Sequence, residues 1–230
     1  MGKSVSFRTD LGEGSGYLAT PSTSTNGKCP GIVVIQEWWG LVPHIKNVVD
    51  RFAGEGFVAL APDLYKGKAS TEPDTARKLM MEMELDTAGA DISGAAHYLL
   101  SLPEVSSQKI GVIGFCMGGS LAIWSATLSK EIGASVAFYP GASWERHNPD
   151  WSQFKGKAAQ IHCAEGDGTS SAPGIQEARE KITAAGGQIE LFDYAGTAHA
   201  FFNDDRAEVY SPEAAALSWE RVLEFFKRSL

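Results

Sequence analysis

Short runs of apolar, mostly β-branched residues recur along this chain, and most are followed by a segment with apolar residues at helical spacing. The clearest pair is Gly31–Gln36 (GIVVIQ), followed by Pro43–Gly54, where apolar residues recur every three or four positions. An unbroken apolar run is typical of a strand covered on both faces. Strands that alternate with helices predict a mostly parallel central sheet with right-handed crossovers and helices on both faces.

The same reasoning assigns the rest of the chain. The predicted strands are Val5–Phe7, Gly16–Ala19, Gly31–Gln36, Phe57–Ala61, Ile110–Ile113, Ser135–Tyr139, Ala158–Cys163 and Gln188–Tyr194. The predicted helices are Pro43–Gly54, Asp74–Leu85, Thr87–Ser101, Ser120–Ser129, Ala172–Ala185 and Ser211–Leu230. A glycine-rich turn is predicted over Leu11–Gly16, and a polar loop over Thr20–Pro30.

Length and composition limit the classes of protein to which this chain can belong. With 230 residues, 43% of them hydrophobic and 21% charged, we expect a single domain over residues 1–230 with a sizeable core. A formal net charge of −8, without clusters of Lys and Arg, gives no basic surface for nucleic acid. No run approaches the ~20 apolar residues of a membrane span, and no signal-type segment opens the sequence. We therefore expect a cytoplasmic protein that binds neither nucleic acid nor membrane.

Three cysteines, Cys29, Cys116 and Cys163, are an odd number without CxxC spacing. This pattern predicts neither a disulfide framework nor a zinc site, and no other His, Asp or Glu cluster has metal-ligand spacing. A thiol redox protein is disfavoured because no resolving cysteine is evident. No metal or cofactor is expected.

The stretch around Cys116 is the strongest functional signal. Gly114–Gly118 (GFCMG) lies between a predicted buried strand and a predicted helix. A strand that turns sharply into a helix presents the pivot side chain above the sheet, and the flanking glycines permit the bend. The helix N-terminus favours a thiolate, and the Met117 N–H is free to bind a developing oxyanion. We interpret Cys116 as a nucleophile rather than a small buried side chain.

A nucleophile on such an elbow requires a general base and an acid later in the chain. His199 lies in the small-residue loop after the strand Gln188–Tyr194 and is the predicted base. The strand Ala158–Cys163 leads into two carboxylates, Glu165 and Asp167. The glycines on both sides of Asp167 favour it as the acid, and Glu165 remains the alternative.

The loop after Gly31–Gln36 supplies two further candidates. Glu37 is a carboxylate at the end of a buried strand, where an unpaired charge is costly, so we interpret it as a proton-accepting partner of the Cys116 thiol. The backbone N–H of Trp38 is the candidate second oxyanion donor.

These motifs resemble the dienelactone hydrolases (carboxymethylenebutenolidases) of the α/β-hydrolase superfamily. The resemblance spans nearly the whole chain, and its motifs are VVIQEWWG (Val33–Gly40), APDLYKG (Ala61–Gly67), GVIGFCMGG (Gly111–Gly119) and AGTAHAFFND (Ala195–Asp204). It implies an α/β-hydrolase fold with Cys116, Asp167 and His199 as a triad. It also implies Glu37 as the thiol-activating carboxylate, with Trp38 and Met117 as oxyanion donors.

The implied reaction is hydrolysis of a small-molecule ester or enol-lactone through an acyl-thioester. Trp39, Phe201 and Asn203 are the expected substrate contacts, in an aromatic pocket. Asn203 stands where bacterial members of the family carry an arginine for the substrate carboxylate, with Arg206 further on. Whether the substrate is anionic therefore stays open. The alternative function is a non-catalytic ligand-binding protein on a hydrolase scaffold.

Overall fold

An eight-stranded sheet organises the protein, whose computed structural model describes residues 2–22, 29–141 and 144–230. The strands are β1 (Lys3–Thr9), β2 (Gly12–Ala19), β3 (Gly31–Ile35), β4 (Val58–Pro62), β5 (Ile110–Phe115), β6 (Ile132–Phe138), β7 (Ala158–Ala164) and β8 (Gln188–Tyr194). The helices are α1 (Pro43–Gly54), α2 (Pro73–Glu82), α3 (Leu85–Ser101), α4 (Met117–Leu128), α5 (Pro173–Ala184) and α6 (Pro212–Ser229).

The strand order is β1-β2-β4-β3-β5-β6-β7-β8. The pairs β1–β2 and β2–β4 are antiparallel, and all the remaining pairs are parallel. The prediction of a mostly parallel sheet is therefore confirmed. The carboxyl ends of β3, β5, β6, β7 and β8 meet at one edge, which is where ligands bind in sheets of this kind.

Helices cover both faces of the sheet, as the sequence predicts. Helices α1 and α6 pack on one face, and α3, α4 and α5 pack on the other. Strand β3 shows why its sequence is apolar throughout: Ile32 and Val34 belong to one core, whereas Val33 and Ile35 belong to the other. None of the helices among the described residues combines the length and hydrophobicity that a membrane crossing requires.

The prediction of a glycine-rich turn over Leu11–Gly16 is wrong. Strand β2 already begins at Gly12, and Thr9 pairs with Gly12, so only two residues form the turn. The low β-propensity of glycine is overridden here because β2 is paired with a neighbouring strand on each side.

Two helix boundaries differ from the prediction by three residues. Helix α2 ends at Glu82, because Met83 and Glu84 are extended and separate it from α3. Helix α4 begins at Met117 rather than Ser120, directly after the elbow residue. The predicted loop Thr20–Pro30 lies partly outside the described residues, since positions 23–28 are not among them.

Candidate active site

Cys116 occupies the turn between β5 and α4. Its backbone angles are φ 56° and ψ −119°, in a region that non-glycine residues seldom adopt and that costs about 1–3 kcal/mol. Its backbone N–H donates to Phe138 O at 3.0 Å, which fixes the turn against β6. The side chain is partly exposed, whereas Cys29 and Cys163 are buried. The elbow thus presents one accessible sulfur at the edge where the parallel strands end.

Glycine is required on both sides of Cys116 because backbone atoms of other residues lie too close to these positions for a side chain. A Cβ atom on Gly114 would lie 1.9 Å from Gly118 O, and one on Gly118 would lie 2.3 Å from Gln36 O. Both distances are far below any van der Waals contact, so neither position accepts a side chain without a backbone shift. The start of α4 consequently lies directly against the end of β3.

His199 and Asp167 meet at the same edge of the sheet. His199 Nδ1 and Asp167 Oδ2 are 2.7 Å apart, and both side chains are partly exposed. Tyr139, at the end of β6, packs its ring 5.0 Å from the imidazole, centroid to centroid. The carboxylate accepts the Nδ1 proton, so the other ring nitrogen is left to face the nucleophile.

The charge state of His199 is set by its two partners. Burial by itself lowers the pKa of His199, but the hydrogen bonds to Asp167 and to Cys116, with the negative charges of both groups, raise it to about 10. The imidazole is therefore protonated at neutral pH when the neighbouring sulfur is a thiolate. Cys116, Asp167 and His199 are brought together, although 83 residues separate Cys116 from His199.

Glu165, the alternative acid, has a different partner. Its Oε2 accepts a hydrogen bond of 2.7 Å from the backbone N–H of Gly196. The imidazole of His199 is hydrogen-bonded to Asp167 instead. Both carboxylates lie in the short 3₁₀ turn Glu165–Asp167, and only Asp167 pairs with His199.

Glu37 is buried, with 1% of its surface exposed. Its Oε2 accepts a hydrogen bond of 2.7 Å from Asn203 Nδ2, so its hydrogen-bond partner is Asn203 rather than the Cys116 thiol. Burial raises the pKa of the Glu37 carboxyl, and the nearby charge of His44 is the largest effect that opposes this rise. Burial thus disfavours the ionised form of the Glu37 carboxyl group.

Asn203 is buried as well, and both ends of its amide are occupied. Its Oδ1 accepts from the backbone N–H of Asp205 at 3.1 Å, which fixes the amide nitrogen toward Glu37. The side chain thus binds Glu37, and the predicted contact between Asn203 and substrate stays a prediction. No sequence pattern indicates the Asn203–Glu37 pair.

The two candidate oxyanion donors come from two segments, the start of α4 and the turn after β3. Met117 is the first residue of α4, where a backbone N–H has no acceptor within the helix. Trp38 follows β3 in a turn closed by a hydrogen bond of 3.2 Å from the Gly40 N–H to Glu37 O. The close packing of Gly118 on Gln36 brings this turn to the elbow.

The predicted substrate contacts differ in accessibility. Trp39 is partly exposed and lines a cavity of about 520 Å³ together with His44, Asn203 and Arg206. Phe201 is fully buried and packs against Tyr139 and Tyr194, with ring centroids 5.4 and 4.8 Å away. Its position gives no support to a direct contact with substrate. No group of metal-ligating side chains is found among the described residues.

Comparisons with known proteins decide the family. The sequence profile of the dienelactone hydrolase family matches residues 15–230. The chain belongs to the dienelactone hydrolase family. It is 35% identical to the protein named usf from Aquifex pyrophilus, and 32% identical to an Aquifex aeolicus protein provisionally named a carboxymethylenebutenolidase. Each of these alignments covers 100% of both chains.

The fold agrees with this membership. A crystal structure of a provisionally named dienelactone hydrolase from Klebsiella pneumoniae superposes with a TM-score of 0.83 at 24% identity, covering 99% of this chain and 98% of that one. The prediction of an α/β-hydrolase fold is confirmed. As a dienelactone hydrolase family member, the protein is a hydrolase that acts on ester bonds.

Proposed function

We propose that this dienelactone hydrolase family member is a cysteine-dependent hydrolase of small esters or enol-lactones that works through an acyl-thioester and without a cofactor. The observation that carries the proposal is the alignment of Asp167, His199 and Cys116, with 2.7 Å between His199 Nδ1 and Asp167 Oδ2. The raised pKa of His199 supports it, because a protonated imidazole beside a thiolate is the reactive form of a cysteine nucleophile.

In the first half-reaction, the Cys116 sulfur bonds to the carbonyl carbon of the substrate. The carbonyl oxygen becomes an oxyanion that the backbone N–H groups of Trp38 and Met117 stabilise. The bond from carbon to the alkoxy or enol oxygen then breaks, and that oxygen takes a proton from His199. The acyl group is left on sulfur as a thioester.

In the second half-reaction, water attacks the thioester carbon. His199, now neutral, takes a proton from this water, and the C–S bond breaks to return the thiolate. The product is a carboxylic acid, and the imidazolium–thiolate pair is restored. Asp167 holds the imidazole in one orientation and favours its protonated form throughout.

Glu37 has an accessory role in this proposal. When it is ionised, its buried carboxylate accepts a proton from the Cys116 thiol, and its hydrogen bond to Asn203 holds it back in the resting protein. Trp39 is the proposed aromatic contact for the substrate, and the guanidinium of Arg206 lies 5.9 Å from the centroid of its ring. Substrates that carry a carboxylate are therefore included in the proposed range.

The proposal is tested with a panel of aryl esters and enol-lactones, each with and without a carboxylate. Wild type is expected to turn over part of the panel, and Cys116→Ala is expected to lose on the order of 10⁴-fold or more in rate. The non-catalytic alternative predicts that the same compounds raise the melting temperature without turnover. A Cys116→Ala variant that hydrolyses esters at the wild-type rate would overturn the cysteine mechanism.

A further inference from the structure

The loop after β4, residues 63–70, contacts both segments that carry the candidate oxyanion donors. At the start of α4, the Tyr65 hydroxyl donates to Met117 Sδ at 3.5 Å. At the turn after β3, the Ser70 N–H donates to Trp39 O at 2.9 Å. We name this segment the β4 loop. It reaches both sides of the site where an oxyanion would form.

The β4 loop also packs closely against the turn after β3. Gly40 and Ala69 pair as an isolated antiparallel bridge. A Cβ atom on Gly40 would lie 2.7 Å from Lys68 O, so the two backbones approach closely only with glycine at this position. The Leu64 N–H donates to Gln36 Oε1 at 3.2 Å. The candidate donor of this turn lies between these contacts in the sequence, so the β4 loop supports it on both sides.

The backbone of the β4 loop is strained. Lys66 and Gly67 have φ values of 53° and 89°, both in the left-handed region, which a lysine seldom adopts. The Asp63 carboxylate accepts hydrogen bonds from the backbone N–H groups of Tyr65, at 3.1 Å, and Gly67, at 2.7 Å. A strained turn of this kind persists only where the surrounding contacts hold it.

An ion pair with a buried carboxylate ties the β4 loop to α3. Lys66 Nζ lies 2.7 and 2.6 Å from the two carboxyl oxygens of Asp91. Asp91 is 2% exposed, and burial raises the pKa of its carboxyl group while the hydrogen bond and charge of Lys66 lower it. A carboxylate at this depth is costly without a cation, so the pair holds the strained lysine in place.

We propose that the Lys66–Asp91 pair anchors the β4 loop, and that the anchored loop positions both oxyanion donors. Tyr65 acts on the first donor through the side chain of Met117. The end of the loop acts on the second donor through the peptide group of Trp39. These are positioning roles, and they rest on the proposed function, in which the two backbone N–H groups stabilise the oxyanion.

Positioning matters here because an oxyanion donor is effective only over a narrow range of distances, and a displacement of about 1 Å costs on the order of 100-fold in rate. Lys66→Met releases the β4 loop from α3. We expect this variant to lower kcat about 10- to 100-fold and to change KM by less than about twofold. The two constants separate because the donors bind the oxyanion more strongly than the carbonyl oxygen of the bound substrate.

The test compares Lys66→Met with wild type and with Lys78→Met. Lys78 forms an exposed pair with Glu82 at 3.8 Å in α2 and provides the matched control. The probe is a trifluoromethyl ketone: the Cys116 thiolate adds to its carbonyl carbon, and the carbonyl oxygen becomes an oxyanion. Fluorine NMR measures the affinity for this probe without turnover. Alkylation of Cys116 by iodoacetamide, which forms no oxyanion, is measured in parallel.

In Lys66→Met we expect the ketone to bind at least about tenfold more weakly than in wild type, with an unchanged rate of alkylation. Tyr65→Phe is expected to weaken binding by a smaller factor, because a thioether is a weak acceptor, and it carries the test if Lys66→Met does not fold. Lys78→Met is expected to match wild type. An unchanged ketone affinity in either folded loop variant, or an equal loss of alkylation, would overturn the proposal.

Hydrogen exchange gives a readout that does not depend on the nucleophile. In Lys66→Met we expect the amides of residues 36–40 and 116–120 to exchange about tenfold faster or more, whereas Lys78→Met keeps the wild-type rates. If wild type forms no adduct at Cys116, the proposed function fails, and the exchange rates still decide whether the β4 loop holds these two segments. Equal exchange in Lys66→Met and wild type would contradict that role.

Discussion

His199 Nδ1 lies 2.7 Å from Asp167 Oδ2, although 32 residues separate them in the sequence. The two residues follow the neighbouring parallel strands β7 and β8, whose last pair is Ala164 with Tyr194. A hydrogen bond of 2.9 Å from the Gly166 N–H to Thr197 O joins the two loops beyond the strands. The sheet therefore determines this contact.

Asp167→Asn is expected to reduce ester hydrolysis on the order of 10³- to 10⁴-fold, because the amide no longer favours the required tautomer and charge of His199. Steady-state kinetics on an activated ester measures the loss. Glu165→Gln is the matched control, since Glu165 pairs with the backbone of Gly196. Equal losses in the two variants would contradict the assignment of the acid.

The pKa of His199 is expected to fall from about 10 when Cys116 is replaced by alanine, because the variant removes a hydrogen bond and a negative charge that both raise it. NMR titration of the imidazole measures the change. Since the folded pKa lies above the unfolded value of 6.5, the contribution of His199 to stability is complete below about pH 6.5 and is lost as pH rises through about 10. A pKa that stays at the wild-type value in Cys116→Ala would show that the thiol does not act on His199.

Iodoacetamide is expected to alkylate Cys116 much faster than the other two cysteines. Cys29 and Cys163 are buried, and burial raises the pKa of Cys163 to about 12, which suppresses its thiolate. Peptide mapping after short exposure of the folded protein measures the three rates. Similar rates at all three positions would argue against an activated Cys116.

Gly118→Ala is expected to destabilise the protein by about 1–3 kcal/mol, as overpacking does, because its Cβ atom would meet Gln36 O at 2.3 Å. Gly54→Ala is the control: it lies at the end of α1 with no atom within 4 Å of the added carbon, and we expect it to stabilise slightly. Chemical denaturation compares the free energies of unfolding. A neutral Gly118→Ala would mean that the elbow accepts a side chain.

Local sequence patterns predict the elbow at Cys116 and its imidazole partner, His199. Apolar runs fix the strands, and residues placed just after parallel strands converge at one edge whatever their separation in sequence. That is why Cys116, Asp167 and His199 could be proposed together from the sequence. The sequence favoured Asp167 and left Glu165 as an alternative, because two carboxylates in one short turn differ in the direction that each side chain takes, which a sequence does not show.

The sequence does not predict the buried polar contacts. Glu37 and Asn203 are 166 residues apart, and no periodicity indicates which amide serves which carboxylate. The position of His44 before Ile45 and Val48, on the buried face of α1, is the signal that a buried imidazole needs a partner. The partner itself, Asp204, is evident only in three dimensions.

The proposed function requires the Cys116 sulfur to carry the acyl group during hydrolysis. Rapid acid quench of the protein during turnover of an activated aryl ester, followed by mass spectrometry, detects such an intermediate. We expect an adduct of the acyl mass on the Cys116 peptide that forms before product and disappears as the ester is consumed. An adduct on another residue, or full turnover by Cys116→Ala with no adduct at all, would contradict it.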